Sequence, residues 1–139
     1  MEHKEDLIRY RISRAAETIK EVEMAIKNKR LSLAVNRIYY AIFYAVSSLA
    51  LRYGFSTSKH RGLKAWFNQT QVKTKNIDVT FGKMYARAFE KRQKADYDDY
   101  VEFDKEEVEA DLENAKKFVA EIKSLVLVDP GEPGDIEAR

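Results

Sequence analysis

The sequence predicts a single all-α domain, an antiparallel four-helix bundle with one additional short helix. The chain has 139 residues, near the usual size of one domain, and contains only 5 Gly and 2 Pro, which favours long helices over a turn-rich β fold. Apolar residues recur along it at alternating steps of three and four, the period of one helical face. Cysteine is absent, which excludes disulfides, thiol catalysis and zinc sites with cysteine ligands.

The first two predicted helices differ in how much of their surface is apolar. The first carries a single apolar stripe: Ile8, Ile12, Ala15, Ile19, Val22 and Ile26. The second, from Leu31 to Tyr53, carries a similar stripe that is widened almost around the helix by Tyr39, Tyr40, Phe43 and Tyr44. Such a surface is typical of a central helix or an interface helix. Gly54 is the expected end of the second helix.

A short third helix is expected after the candidate caps Ser56, Thr57 and Ser58, with Lys73 to Asn76 as the polar connector behind it. Its apolar residues are Leu63, Trp66 and Phe67, and Trp66 is expected in the core. The fourth helix has apolar residues at a helical period: Phe81, Met84, Tyr85, Ala88 and Phe89. The polar sequence KRQKADYDDY, residues 91–100, then interrupts the period and is predicted to be a loop.

The last helix has a predicted start at Asp104, which can cap its first turn, with Glu107 completing a capping box. Phe103 and Val108 are expected to form a hydrophobic staple around this cap. The domain is predicted to cover residues 1–128, and the Pro- and Gly-containing tail of residues 129–139 is expected to be flexible.

The charges are divided into two blocks of opposite sign. Residues 52–94 contain 11 Lys or Arg against two acidic residues, and residues 96–113 contain ten acidic residues against Lys105 alone. The two blocks can pair with each other. The alternative is a nucleic-acid face formed by the basic block, and both remain open at this point. Its members would be Arg61, Lys64, Lys83, Arg87, Lys91, Arg92 and Lys94.

The start of the sequence, MEHKEDLIRYRISR, is charged throughout and lacks the apolar core of a signal peptide. No apolar run reaches the length of a membrane span. We therefore expect a cytoplasmic protein without a membrane partner, and neither composition nor motifs indicate a cofactor or a metal.

Three motifs occur in a characteristic order: AVNRIYYAIFYAVSSLA (34–50), SKHRGLKAWFNQT (58–70) and KRQKADYDDY (91–100). Together they resemble the HEPN domain family, and most closely its small stand-alone branch, over Ile8 to Leu125. The resemblance implies a helical bundle that often forms a homodimer. It also implies a gene often found beside a minimal nucleotidyltransferase, the two forming a toxin–antitoxin pair.

HEPN ribonucleases are expected to carry an Arg followed after four to six residues by a His. This sequence departs from that pattern. Its only histidines are His3 and His60, and seven residues separate His60 from the nearest preceding arginine, Arg52. No His follows Arg87 or Arg92. Because arginine does not act as a general base at neutral pH, this favours binding over RNA cleavage.

The candidate residues for a polar or phosphate-binding site are Arg37, Tyr40, Lys59, His60, Arg87, Arg92, Asp96 and Tyr97. Arg37 shares a helical face with Tyr40 and Tyr44, which indicates either a polar pocket or a structural arginine paired with a carboxylate from Asp96 to Asp99. Lys59 and His60 lie at a helix start that can bind an anion or can simply be surface. Asp96 and Asp98 can form a salt-bridged loop, whereas the pair is a poor metal ligand set.

The leading hypothesis is an interaction protein that forms a homodimer and binds a minimal nucleotidyltransferase, with nucleotide or RNA as a further ligand and with Tyr97 or Tyr100 exposed for regulation. The alternative is a divergent metal-independent ribonuclease that combines Arg87, Arg92 and His60 in a homodimer.

Overall fold

The computed structural model describes residues 2–127, which form five α-helices and no strand. They are α1 (Glu2–Lys27), α2 (Leu31–Arg52), α3 (His60–Phe67), α4 (Val79–Tyr97) and α5 (Lys105–Val126). The predicted class, four long helices and one short helix, is confirmed. None of the helices in this part of the chain is both long and apolar enough to cross a membrane. The tail predicted from Asp129 lies outside the described residues.

The bundle is built around α2, which contacts each of the other four helices. Buried residues occur along most of α2, and Tyr39, Ile42 and Leu49 are among the largest side chains that the core encloses. The same core cluster includes Ile8 of α1 and Phe118 of α5. The nearly all-round apolar surface of this helix therefore predicted its central position correctly.

Backbone conformation, and not a capping side chain, marks where α2 ends and where α3 begins. Gly54 has a φ of +80°, and its N–H donates to the carbonyl of Leu51 at 3.0 Å, so the predicted glycine stop is confirmed. The predicted caps of α3 are wrong, because this helix begins at His60 and no side chain caps it. Thr57 instead accepts the N–H of Lys59 through Oγ1 at 3.2 Å, within the preceding loop.

A short connection leads from α3 to α4. One wide π-type turn (Asn68–Val72) extends α3, and turns over residues 73–77 follow, as the predicted polar connector requires. Trp66 is half-buried, with its ring stacked on Phe55 at a centroid distance of 5.6 Å. It packs against the edge of the core as a structural residue.

The loop predicted over residues 91–100 is wrong for most of its length, because α4 continues to Tyr97. The apolar period stops there, but the helix does not. Lys91 and Arg92 are both half-buried and ion-paired. Lys91 pairs with Asp111 of α5, and Arg92 pairs with Asp96 one turn further along α4. Polar contacts hold these turns where apolar contacts would be expected.

The opposite charge blocks pair where α4 lies beside α5. Arg87 donates from Nε to Oδ1 of Asp111 at 2.8 Å, and Nζ of Lys91 lies 3.2 Å from the other carboxylate oxygen. Glu107 accepts from Lys91 as well, at 3.3 Å. For these two basic residues the pairing alternative is therefore correct, and they are not part of a free nucleic-acid face.

The start of α5 is capped as predicted. Asp104 accepts the backbone N–H of Glu107 through Oδ2 at 3.1 Å. The carboxylate of Glu107 contacts Lys91 of α4 rather than closing a capping box. Val108 is fully buried and Phe103 packs half-buried against the core on either side of this cap.

We predict that Asp104→Ala lowers the free energy of unfolding by about 1 kcal/mol, because a first-turn amide of α5 loses its acceptor. Urea denaturation followed by circular dichroism measures this change. Asp99→Ala, which removes an exposed aspartate from the loop before α5, is the matched control and should leave stability nearly unchanged. Equal losses from both changes would show that the cap contributes nothing specific.

Candidate polar and phosphate-binding site

Three helices bring Tyr39, His60 and Arg92 together. The hydroxyl of Tyr39 on α2 lies 2.6 Å from Nδ1 of His60, the first residue of α3. The guanidinium of Arg92 on α4 lies over the rings of Tyr39 and Tyr40, at 5.3 and 5.5 Å from their centroids. Phe43 packs against the imidazole at a centroid distance of 4.7 Å. His60 thus stands beside Arg92 although the two are far apart in sequence.

The hydrogen-bonded pair of Tyr39 and His60 is neutral at neutral pH. Burial lowers the pKa of His60, and the nearby positive charge of Arg92 lowers it further. Burial also raises the pKa of Tyr39 far above its usual range. A neutral imidazole has one donor and one acceptor nitrogen, so the direction of the Tyr39 hydrogen bond decides which role is left to Nε2.

A chain of alternating charges continues from Arg92 along α2 to α1. Nε of Arg92 lies 2.8 Å from Oδ2 of Asp96, an ion pair whose angle does not suit a hydrogen bond. Asn36 donates to Oδ1 of Asp96 at 3.2 Å and accepts from Nε and Nη2 of Arg37 at 3.1 and 3.0 Å. Nη1 of Arg37 reaches Glu21 at 3.3 Å. Arg92 is thus paired with Asp96, and Arg37 is paired with Glu21.

Arg37 of α2 forms an ion pair with α1. It is paired with a carboxylate, as one alternative held, but that carboxylate belongs to Glu21 of α1 and not to Asp96 to Asp99. The guanidinium lies over the ring of Tyr40 at 4.9 Å, as their shared helical face predicted. Arg37 therefore supports Asn36 and Tyr40 at the border of the cluster.

Three of the predicted site residues lie apart from this cluster. Arg87 faces α5 and lines an apolar cavity of about 290 Å³ between α2, α4 and α5. Lys59 is exposed at the start of α3, and Tyr97 is 79% exposed at the end of α4. Residues 91–97 are helical, so Asp98, which accepts the N–H of Tyr100, belongs to the turn that follows α4. Within residues 2–127 no group of carboxylates and histidines is arranged to hold a metal ion.

A cleft of about 540 Å³ opens beside His60, between α1, α2 and the loop before α3; we call it the α1–α3 cleft. Its walls contain two arginines, four aromatic rings, three hydroxyl side chains and the imidazole, but no carboxylate. They are Tyr10, Arg11, Arg14, Tyr40, Phe43, Tyr44, Ser47, Thr57, Ser58 and His60. The α1 residues were not among the predicted site residues, because the polar side of an amphipathic helix gives no periodic signal of function.

A family model for the HEPN domain matches residues 8–125. The chain belongs to the HEPN domain family. This HEPN chain is 44% identical over 126 residues to a UPF0332 protein of Thermotoga maritima, with 91% of this chain and 96% of the relative covered. It is 32% identical over 116 residues to a Methanocaldococcus jannaschii protein named as a candidate toxin, covering 84% and 79%. A UPF0332 protein of Archaeoglobus fulgidus is 30% identical over 127 residues, covering 87% and 96%.

The lowered pKa of His60 predicts that this HEPN chain loses stability as pH falls below 6.5, the ordinary pKa of histidine. Below that pH the unfolded chain binds a proton at His60 more readily than the folded chain does, so protonation favours unfolding. The His60→Gln variant lacks this contribution, and glutamine can still bond to Tyr39. Unfolding free energies of both proteins, measured above and below pH 6.5, should diverge at acidic pH. Parallel profiles would contradict the assignment.

Proposed function

We propose that this chain is the HEPN component of a two-protein toxin–antitoxin system and that it associates with a minimal nucleotidyltransferase. Membership of the HEPN family and the Methanocaldococcus jannaschii relative named as a candidate toxin support the toxin role. The observation that carries an action on RNA is a cleft lined by His60, Arg11 and Arg14 and by no carboxylate, with Arg92 lying over Tyr40 of its wall. Phosphate groups are attracted to such a surface and repelled by carboxylates.

The partner hypothesis predicts that expression of this chain alone slows growth and that co-expression of the nucleotidyltransferase encoded beside it restores growth. The two proteins should then elute from gel filtration as one complex at micromolar concentration. Arg92→Gln should remove toxicity while the complex still forms, since it changes the proposed RNA site and leaves the rest of the surface intact. Separate elution together with normal growth in every strain would count against this function.

A metal-independent ribonuclease is the second candidate, and one specific observation favours it. The sequence lacks the Arg-to-His spacing of HEPN ribonucleases, yet α3 places His60 where Arg92, Tyr39 and Tyr40 meet. This arrangement occurs within one chain, so a second copy is not needed to join the histidine to the arginine. Arg87, which the sequence-based hypothesis included, takes no part in the arrangement.

The chemistry follows from the two nitrogens of His60. When the hydroxyl of Tyr39 accepts a hydrogen bond from Nδ1–H, Nε2 has no proton and can take the proton of a ribose 2′-hydroxyl. The 2′-oxygen then attacks the adjacent phosphorus, the bond to the 5′-oxygen breaks, and that oxygen takes a proton from solvent. The products are a 2′,3′-cyclic phosphate and a 5′-hydroxyl end, and Arg92 offsets the negative charge that develops on the phosphate.

We predict that single-stranded RNA is cleaved in the presence of a metal chelator and that His60→Ala lowers the rate by about 100-fold or more, since proton transfer is lost. Mass spectrometry should identify cyclic phosphate ends. Tyr39→Phe should slow cleavage less, because it frees the imidazole to rotate without removing it. Arg87→Ala is the control and should cleave as the wild type does. Equal inertness of all four proteins would remove the ribonuclease function.

A further inference from the structure

The basic side of the α1–α3 cleft is formed by Arg11 and Arg14, three positions apart on one face of α1. Arg14 pairs with Glu17 at 3.2 Å and lies over the ring of Tyr44 at 5.1 Å, which holds its guanidinium at the cleft wall. Arg11 is half-buried and forms no ion pair with any residue in the described part of the chain. A half-buried guanidinium without a carboxylate partner favours an anionic ligand.

The aromatic side of the cleft offers one open ring. The faces of Tyr40 and Tyr44 already hold the guanidinium groups of Arg37, Arg92 and Arg14. Tyr10 is 61% exposed, lines the same cleft and lies one turn before Arg14 on α1. An exposed tyrosine beside cationic groups is the usual platform for an unpaired nucleic-acid base.

The cleft shares His60 and Tyr40 with the polar cluster. Thr57 and Ser58 line it with hydroxyl groups, and His60 follows directly at the first residue of α3. Hydroxyl side chains can bond to phosphate oxygens or to ribose hydroxyls. An exposed ring, two guanidinium groups, two hydroxyls of the loop before α3 and the imidazole of His60 therefore line one cleft.

We infer that the α1–α3 cleft binds one nucleotide unit of single-stranded RNA, with its base on Tyr10 and its phosphate between Arg11 and Arg14, and leads the next unit to His60. This inference rests on the proposed action on RNA and adds the substrate form and the residues that hold it. The strand must be single, because a base paired in a duplex cannot lie on the Tyr10 ring.

Fluorescence anisotropy with a labelled oligouridylate tests the inference on the full chain. Arg11→Gln should weaken binding about tenfold and lower the slope of log affinity against log salt by about 0.7, the value for one phosphate contact on a single strand. Arg9→Gln is the matched control. It removes the same charge from an exposed position of α1 outside the cleft and should leave affinity and slope nearly unchanged.

The base platform is tested with a second pair of variants. Tyr10→Ala should weaken binding about tenfold, and Tyr10→Phe, which keeps the ring, should not. Because Tyr10 is exposed, the alanine variant should fold as the wild type does, which circular dichroism checks.

Three outcomes would overturn the inference: equal weakening by Arg9→Gln and Arg11→Gln, a duplex of the same sequence bound as tightly as the single strand, or uridine monophosphate competing as well as the oligonucleotide. The wild type failing to bind RNA would overturn it too. Binding is measured apart from growth and from complex formation. A chain that slows growth and binds its partner while Arg11→Gln has no effect on RNA affinity would remove the cleft assignment alone.

Discussion

The enclosure of α2 is the constraint on which the rest of this structure depends. A helix covered on most sides meets the polar groups of its neighbours along its whole length, and a buried polar group without a partner is costly. Tyr39 bonds to His60 on α3 in a partly buried position, and at the surface Arg37 bonds to Glu21 on α1 and Asn36 bonds to Asp96 on α4. Each partner comes from a different helix, so the polar cluster fixes the relative positions of α1, α3 and α4 around α2. The packing of the bundle and the geometry of the site therefore both depend on the central position of α2.

Most of the fold could be predicted from the sequence because it rests on signals that are local. Helical apolar periods give the long helices, Gly54 ends α2 with a positive φ, and Asp104 caps α5. The end of α4 could not be predicted in this way. From Lys91 onward the helix is held by ion pairs with α5 and within itself, and a search for apolar periodicity does not detect such contacts. Where α3 begins depends equally on the loop before it, which ends without a capping side chain.

The sequence predicted several residues of the candidate site but not how they are arranged in space. Arg37, Tyr40, His60, Arg92 and Asp96 were all named from the sequence, and the structure groups them. Arg87 and Lys59 carry similar chemistry but face elsewhere, since the direction in which a helix faces depends on tertiary packing. The proximity of His60 to Arg92 has no counterpart in residue spacing, because two helices from different parts of the chain create it. Whether these residues form a functional site stays a prediction.

The short α3 helix gives this site a property of its own. His60 is the first residue of an eight-residue helix without a side-chain cap, whereas Arg92 lies well inside a long one. First turns of helices open at a lower free energy than the bundle as a whole unfolds. When the first turn of α3 frays, the imidazole leaves Arg92 while α1, α2, α4 and α5 stay assembled. His60 is thus the member of the cluster that can separate from the others. The equilibrium between the closed and the open first turn of α3 sets the fraction of time for which the cluster is complete.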